Sequence, residues 1–349
     1  MPVVKDAKGL TAWALMTMGF CLVMFSSIVF AQSRPGVPSA SVDQAELRVS
    51  DWLRHIHEGS RRRAYVGTFV VSVGDFMSSA KIWHVCDGAQ QLERVDTLTG
   101  VPRSTLRRDD DVVTFWPASR VAVSERRGGM ASFPNQLQAA DADIERFYKV
   151  RRDGSARVAG HDAEIVVMQP LDRHRFGYRV WTEKKSGLIL KLQTLDTSGA
   201  VLEQSAFSEL SLDAPVRARE LSQMMRATDG YQLQKTSLTK TSEMAEGWMM
   251  NKALPGFNSV SCFKRTLMSN ASNESSGEQV FQWVFSDGLA SVSLFVGIFN
   301  PERHRQSGAY AMGATHTLTQ RVGRWWVTAV GEVPEATLLS FVQGLERRE

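Results

Sequence analysis

Tyr65-Val66-Gly67-Thr68-Phe69-Val70-Val71-Ser72-Val73 is a β-branched and aromatic run, broken at Gly74-Asp75 and followed almost at once by a second run, Ala80 to Val85. Strand formers on both sides of such a break predict a hairpin. A third run, Gln91 to Val95, follows the turn signal Asp87-Gly88. No room is left for crossover helices, which parallel strands would need, so the stretch predicts an antiparallel meander or barrel-like sheet.

The same habit continues downstream. Asp111–Trp116 and Val121–Ser124 read as strands, Gly128 to Ala140 as a loop, and Asp141 to Phe147 as a short helix with Asp141 as N-cap. Ala163–Gln169, Gly177–Glu183, Leu188–Leu195 and Ala200–Leu210 then follow at hairpin spacing, separated by Pro170, Lys185-Ser186-Gly187 and Ser198-Gly199, with Asp153-Gly154 as a further boundary. Upstream, Ala45, Val49, Trp52, Leu53 and Ile56 recur at helical spacing between Ser41 and Glu58, and Gly59 closes the pattern. Residues 41–214 are thus expected to form one large domain of mostly β (α+β) class. Its half-open antiparallel sheet wraps over helices and encloses an apolar concavity if it does not close.

Residues 215–246 are polar apart from Met224-Met225 and read as a linker. A smaller domain, 247–349, follows. Its strands are Trp248–Leu254, Phe257–Leu267, Gln279–Phe285, Ala290–Ile298, Tyr310–Leu318 and Trp325–Val330, with Met268 to Glu278 as a loop. Its turns are Leu254-Pro255-Gly256-Phe257 and Ser286-Asp287-Gly288. Pro334 opens a last helix with Ala336, Leu339, Val342 and Leu345 on one face.

Lys5 and Lys8 precede an apolar segment from Leu10 to Phe30, and Val29-Phe30-Ala31 supplies the residues a signal peptidase reads. Residues 1–31 are therefore read as a cleaved secretory signal and 32–40 as a mature tail, which implies the periplasm. The segment is also long enough, at about 20 residues, to be retained as an anchor. After cleavage Cys86 and Cys262 remain; they either pair or behave as small buried hydrophobes. The net charge is +4 and 43% of residues are hydrophobic, which excludes both a disordered chain and a polytopic membrane protein. The pairs Arg107-Arg108, Arg126-Arg127 and Arg151-Arg152 and the triplet Arg61-Arg62-Arg63 read as solvated loop surface, with an anion-binding face as the alternative.

No GxSxG, HExxH, Walker or GxGxxG pattern is present, and no Cys/His spacing suggests a metal. With no catalytic set and no cofactor, a binding protein is expected rather than an enzyme. Phe69, Val71, Trp83, Phe115 and Trp181 are the candidates to line a lipid cavity, with ordinary core packing as the alternative. Trp83 and His84 must take opposite faces of their strand.

Several strings together resemble the MucB/RseB family of periplasmic regulators. They are Tyr65-Val66-Gly67-Thr68-Phe69, Ile82-Trp83-His84, Gly177-Tyr178-Arg179-Val180-Trp181, Gly187-Leu188-Ile189-Leu190-Lys191 and Leu202-Glu203-Gln204. The small domain adds Leu254-Pro255-Gly256-Phe257, Val330-Gly331-Glu332-Val333-Pro334 and, most specifically, the run Val284 to Ser293 around Ser286-Asp287-Gly288. One departure is a single Pro255 where the family is expected to carry two consecutive prolines. The resemblance implies a large domain similar to the lipoprotein carriers. It also implies a partner, the periplasmic domain of a transmembrane anti-sigma factor, which the protein shields from regulated proteolysis until lipid or lipopolysaccharide releases it. The partner surface is placed on the small domain, at Trp248, Phe257, Arg321 and Arg324. Nucleic acid is not expected, self-association is left open, and a lipid or lipoprotein carrier is the alternative function.

Overall fold

The computed structural model describes residues 49–88, 90–126, 133–134, 137, 142–236, 238–267, 278–304 and 306–348. The expected signal, the tail, the first helical residues to 48, most of the 128–140 loop, Asp141 and the 268–277 loop lie outside them.

Of the described residues, 56% are strand and 12% helix. Helix α1 (Val49–Arg62) leads into β1 (Tyr65–Val73), β2 (Phe76–Asp87), β3 (Gln90–Thr97), β4 (Ser104–Arg108), β5 (Asp111–Trp116) and β6 (Val121–Arg126). After a 3-10 turn at Ala142–Arg146 come β7 (Tyr148–Val158), β8 (His161–Pro170), β9 (Gly177–Glu183), β10 (Ile189–Leu195) and β11 (Val201–Leu212). Helix α2 (Ala218–Arg226) and β12 (Gln232–Lys235) complete this half, giving a sheet ordered β12-β6-β5-β4-β3-β2-β1-β11-β10-β9-β8-β7. The β1–β2 turn pairs Val73 with Phe76, and Gly74 takes a positive φ of 54° there, a conformation glycine adopts without strain.

The second sheet is ordered β13-β15-β16-β17-β20-β19-β18. It contains β13 (Leu238–Lys240), β15 (Asn258–Leu267), β16 (Glu278–Ser286), β17 (Ser291–Ile298), β18 (Gly308–Met312), β19 (Thr315–Val322) and β20 (Trp325–Gly331). A ribbon of β14 (Trp248–Met250) with β21 (Leu345–Arg347) and helix α3 (Glu335–Gly344) finish the fold, and both sheets lie within one compact unit.

Alternation assigns the faces of the large sheet. Tyr65, Phe69, Ala80 and Ile82 point inward, where α1 supplies Trp52, Leu53 and Ile56 to the same core. Leu221 and Met225 of α2 cover the outer face, against Val85 and Leu92 and against Leu106 and Phe115 respectively.

Five expectations are corrected. Gly59 does not end α1, which runs on to Arg62; a Cβ at Gly59 would sit 2.0 Å from the Ser186 carbonyl oxygen, so glycine there permits close contact between the helix and the β9–β10 turn. Asp153-Gly154 is not a boundary but a bulge inside β7, with Gly154 at φ 95°. Residues 215–246 are not a bare linker: they hold α2, β12 paired in parallel to β6, and β13 paired to β15. Tyr310–Leu318 is not one strand but two, β18 and β19, turned at Gly313. Helix α3 buries Thr337, Leu338, Phe341 and Val342 and leaves Leu339 exposed, because the face it packs on β19 and β20 is centred on Leu338 and Phe341, to one side of the expected stripe.

Candidate functional site

The inner face of β1 to β5 is left uncovered by α1 over a cavity of about 670 Å³. Phe69, Val71, Val95, Val112 and Trp116 form its apolar wall; Thr97, Thr99, Thr105 and Thr114 line it with hydroxyls, and Arg103 and Arg107 bring charge. Such a wall suits an amphiphile, with chains on the apolar side and a polar or anionic group at the arginines.

Of the five expected cavity residues, Phe69 and Val71 line it. The other three do not. Trp83 is cross-strand to Val66 and Arg94 on the outer face, where it borders a cleft beside α2 with the Arg94 guanidinium 5.1 Å from its ring centroid. Phe115 is also on the outer face, packed with Met225 and Tyr231. Trp181 is cross-strand to Lys191, whose ammonium lies 4.6 Å from its ring centroid, and it is buried in the main core. Bulk selected these three; face parity placed them elsewhere.

A second assembly joins the two sheets. Arg175, in the β8–β9 loop, is fully buried. Its Nε donates to Asp287 Oδ2 at 2.5 Å, its Nη2 to the Pro255 carbonyl at 2.6 Å, and its Nη1 to Asp172. Phe147 and Phe257 sandwich the guanidinium, at 4.3 and 4.6 Å from their ring centroids. Asp287 is bound from its own side too, since Oδ1 accepts the amides of Leu289 and Ala290. The Ser286-Asp287-Gly288 turn therefore does more than reverse the chain: it holds an acceptor in place for an arginine of the other sheet. Sequence reasoning missed Arg175, which stands in an unpatterned loop 112 positions from Asp287. Gly256 has φ 84°, and a Cβ there would lie 2.5 Å from Arg175 Nη2. Gly256→Ala is accordingly expected to cost about 2 kcal/mol, from left-handed strain and a clash with Arg175 and the Phe147 ring, and to lower Tm in a thermal melt.

Carboxylates meet near the same junction. Burial pushes Glu203 on β11 above the usual carboxylate range, and burial with the charge of Glu203 does the same to Glu332 after β20. On the second sheet, Trp248 and Phe257 are core residues, below 5% exposed, rather than surface. Both nonetheless floor an open groove of about 480 Å³ flanked by Met244 and Met249. Arg321 and Arg324 are exposed and stack on Phe299 and Trp325, at 4.1 and 5.0 Å. Among the described residues no group of His, Cys, Asp and Glu could hold a metal, and no helix is long and apolar enough to cross a membrane.

An open sheet with an amphipathic concavity, joined through a buried arginine to a smaller sheet with an apolar groove, defines a two-sheet binding protein. The chain belongs to the MucB/RseB family: residues 48–225 match the MucB/RseB N-terminal domain and residues 242–346 the MucB/RseB C-terminal domain. It is 27% identical over 321 residues to the sigma factor AlgU regulatory protein MucB of Pseudomonas aeruginosa, covering 89% of this chain and 94% of that protein. Identity to the sigma-E factor regulatory protein RseB of Haemophilus influenzae is 25% over 317 residues, covering 89% and 95%. The crystal structure of MucB in complex with MucA(peri) superposes with a TM-score of 0.63 at 25% identity, over 86% of this chain and 99% of that one.

Proposed function

We propose that this protein binds the periplasmic region of a transmembrane anti-sigma factor and shields it from regulated proteolysis, so restraining an envelope-stress sigma factor. Lipid or lipopolysaccharide entering the concavity of the large sheet releases the partner. The observation that carries the reading is the match along nearly the whole chain to a regulatory protein solved with MucA(peri). In this reading residues 1–31 direct export to the periplasm, and the partner docks on the small sheet, where the Met244 and Met249 groove and the exposed Arg321 and Arg324 offer apolar and cationic contacts.

Protection follows from occupancy: a segment held by this protein is withdrawn from the protease by mass action. Release follows from linkage, because two ligands that favour different states must weaken each other reciprocally. The test is to titrate the cognate anti-sigma periplasmic region against the protein, with and without lipopolysaccharide, and to follow its cleavage. Lipopolysaccharide is expected to weaken binding at least tenfold and to restore cleavage; unchanged binding sinks the release mechanism. Thr114→Trp, which fills the cavity from its inner face, is expected to abolish that lipid effect while leaving partner affinity within about twofold. A second reading, a periplasmic lipid or lipoprotein carrier, is favoured by the cavity alone. Transfer of bound acyl chains to a membrane acceptor would support it.

A further inference from the structure

Directly beside the cavity, the inner face of β2 carries His84 and Cys86, two positions apart and so on one side of the strand. The His84 Nε2 lies 3.6 Å from Cys86 Sγ, and its Nδ1 lies 3.7 Å from Glu93 Oε2 on the neighbouring strand. Tyr65 stacks on the imidazole with centroids 4.7 Å apart and planes 13° from parallel, which fixes the ring between sulfur and carboxylate. This is the order of a nucleophile, a proton carrier and an orienting acid. Burial pulls the His84 proton off, but the bond to Cys86 and the nearby charge of the Glu93 carboxylate overcome it and hold the group at about 9, so an imidazolium faces the sulfur at neutral pH. His84 itself is 1% exposed, whereas Cys86 is half-buried and within reach of a small reactant.

Cys262 shows the opposite environment. It is buried in the second sheet with Sγ 3.6 Å from Glu243 Oε2, and burial together with that carboxylate pushes its thiol up to about 12. The two cysteines lie in different sheets and form no disulfide with each other. One thiol is held beside a cation and the other beside an anion, and a cationic neighbour is what makes a thiol reactive.

We infer that Cys86 is an oxidation site for peroxides, with His84 as proton carrier and Glu93 as the group that positions it. The sulfur attacks one peroxide oxygen; the S–O bond forms as the O–O bond breaks. The thiol becomes a sulfenic acid, and His84 delivers a proton to the departing oxygen, so that thiol and ROOH give sulfenic acid and ROH. Glu93 also lines the cavity, so this trio meets the cavity wall at its carboxylate end.

The purified protein is treated at pH 7 with hydrogen peroxide or cumene hydroperoxide in the presence of dimedone, and peptide mapping resolves Cys86 from Cys262. Cys86 is expected to be labelled at least tenfold faster than Cys262 and than N-acetylcysteine under the same conditions. His84→Gln should remove most of that advantage, and Glu93→Gln a smaller part. Labelling of Cys86 no faster than N-acetylcysteine overturns the inference, as does an unchanged rate in His84→Gln. Should His84→Gln fail to fold, Glu93→Gln decides, an unchanged rate overturning the positioning role.

Discussion

Arg175→Ala is expected to destabilise the protein by about 3–5 kcal/mol in chemical denaturation, and to separate the melting of the two sheets. The magnitude comes from what is left behind. Asp287 would remain fully buried with its Oδ2 deprived of the guanidinium, and the Pro255 carbonyl and the rings of Phe147 and Phe257 would face an emptied slot. Removing one partner of a buried pair costs far more than replacing both, so Arg175→Met combined with Asp287→Leu should recover a large part of the loss. Thr337 Oγ1 donating to the His174 carbonyl, the Phe176–His316 ring contact, the weak Tyr148-to-Asp287 bond at 3.4 Å and the Arg265–Glu125 ion pair at 3.8 Å act beside it between the sheets. A loss under about 1 kcal/mol would mean that these neighbours, and not the arginine, hold the sheets together.

This joint also shows how far the sequence could be read. The run Tyr65 to Val73 and its partner strand declared themselves by composition, and the two-residue turn between Val73 and Phe76 even dictates that Ala80, Ile82 and His84 share the Phe69 face. Applied to Trp83, that parity would have removed it from the cavity candidates. Strand β4 escaped notice because Thr105 and Arg107 face the cavity, so a half-buried strand carries almost no apolar signal beyond Leu106. The peptide 215–246 was polar for a related reason: α2 buries only Leu221 and Met225 against the sheet's outer face. The Ser286-Asp287-Gly288 string was legible as a turn and as a family mark. Its role toward Arg175 was not, since a contact between distant loops leaves no periodic trace in either.

The second large effect is a dependence on pH centred on His84. A buried imidazole with no partners would bind its proton less tightly than in the unfolded chain, but here the bond to Cys86 and the Glu93 carboxylate win and raise the group from 6.5 to about 9. A difference of that size is worth about 3 kcal/mol of stability. The sign follows from which state holds the proton more firmly. Below pH 6.5 both folded and unfolded chains are protonated and the contribution is present in full; as pH rises toward 9 the unfolded chain has already lost its proton while the folded one is losing it, and the contribution disappears. Denaturation free energy should therefore fall across that window by about 3 kcal/mol more in the wild type than in His84→Gln. Cys86→Ser should narrow the window, because the bond to the sulfur is the first-ranked cause that raises His84. Parallel profiles for wild type and His84→Gln would show that the proton is not held between Cys86 and Glu93. The same result would remove the imidazolium on which the reactivity of Cys86 depends, so the stability profile and the labelling rate test one arrangement by two independent readouts.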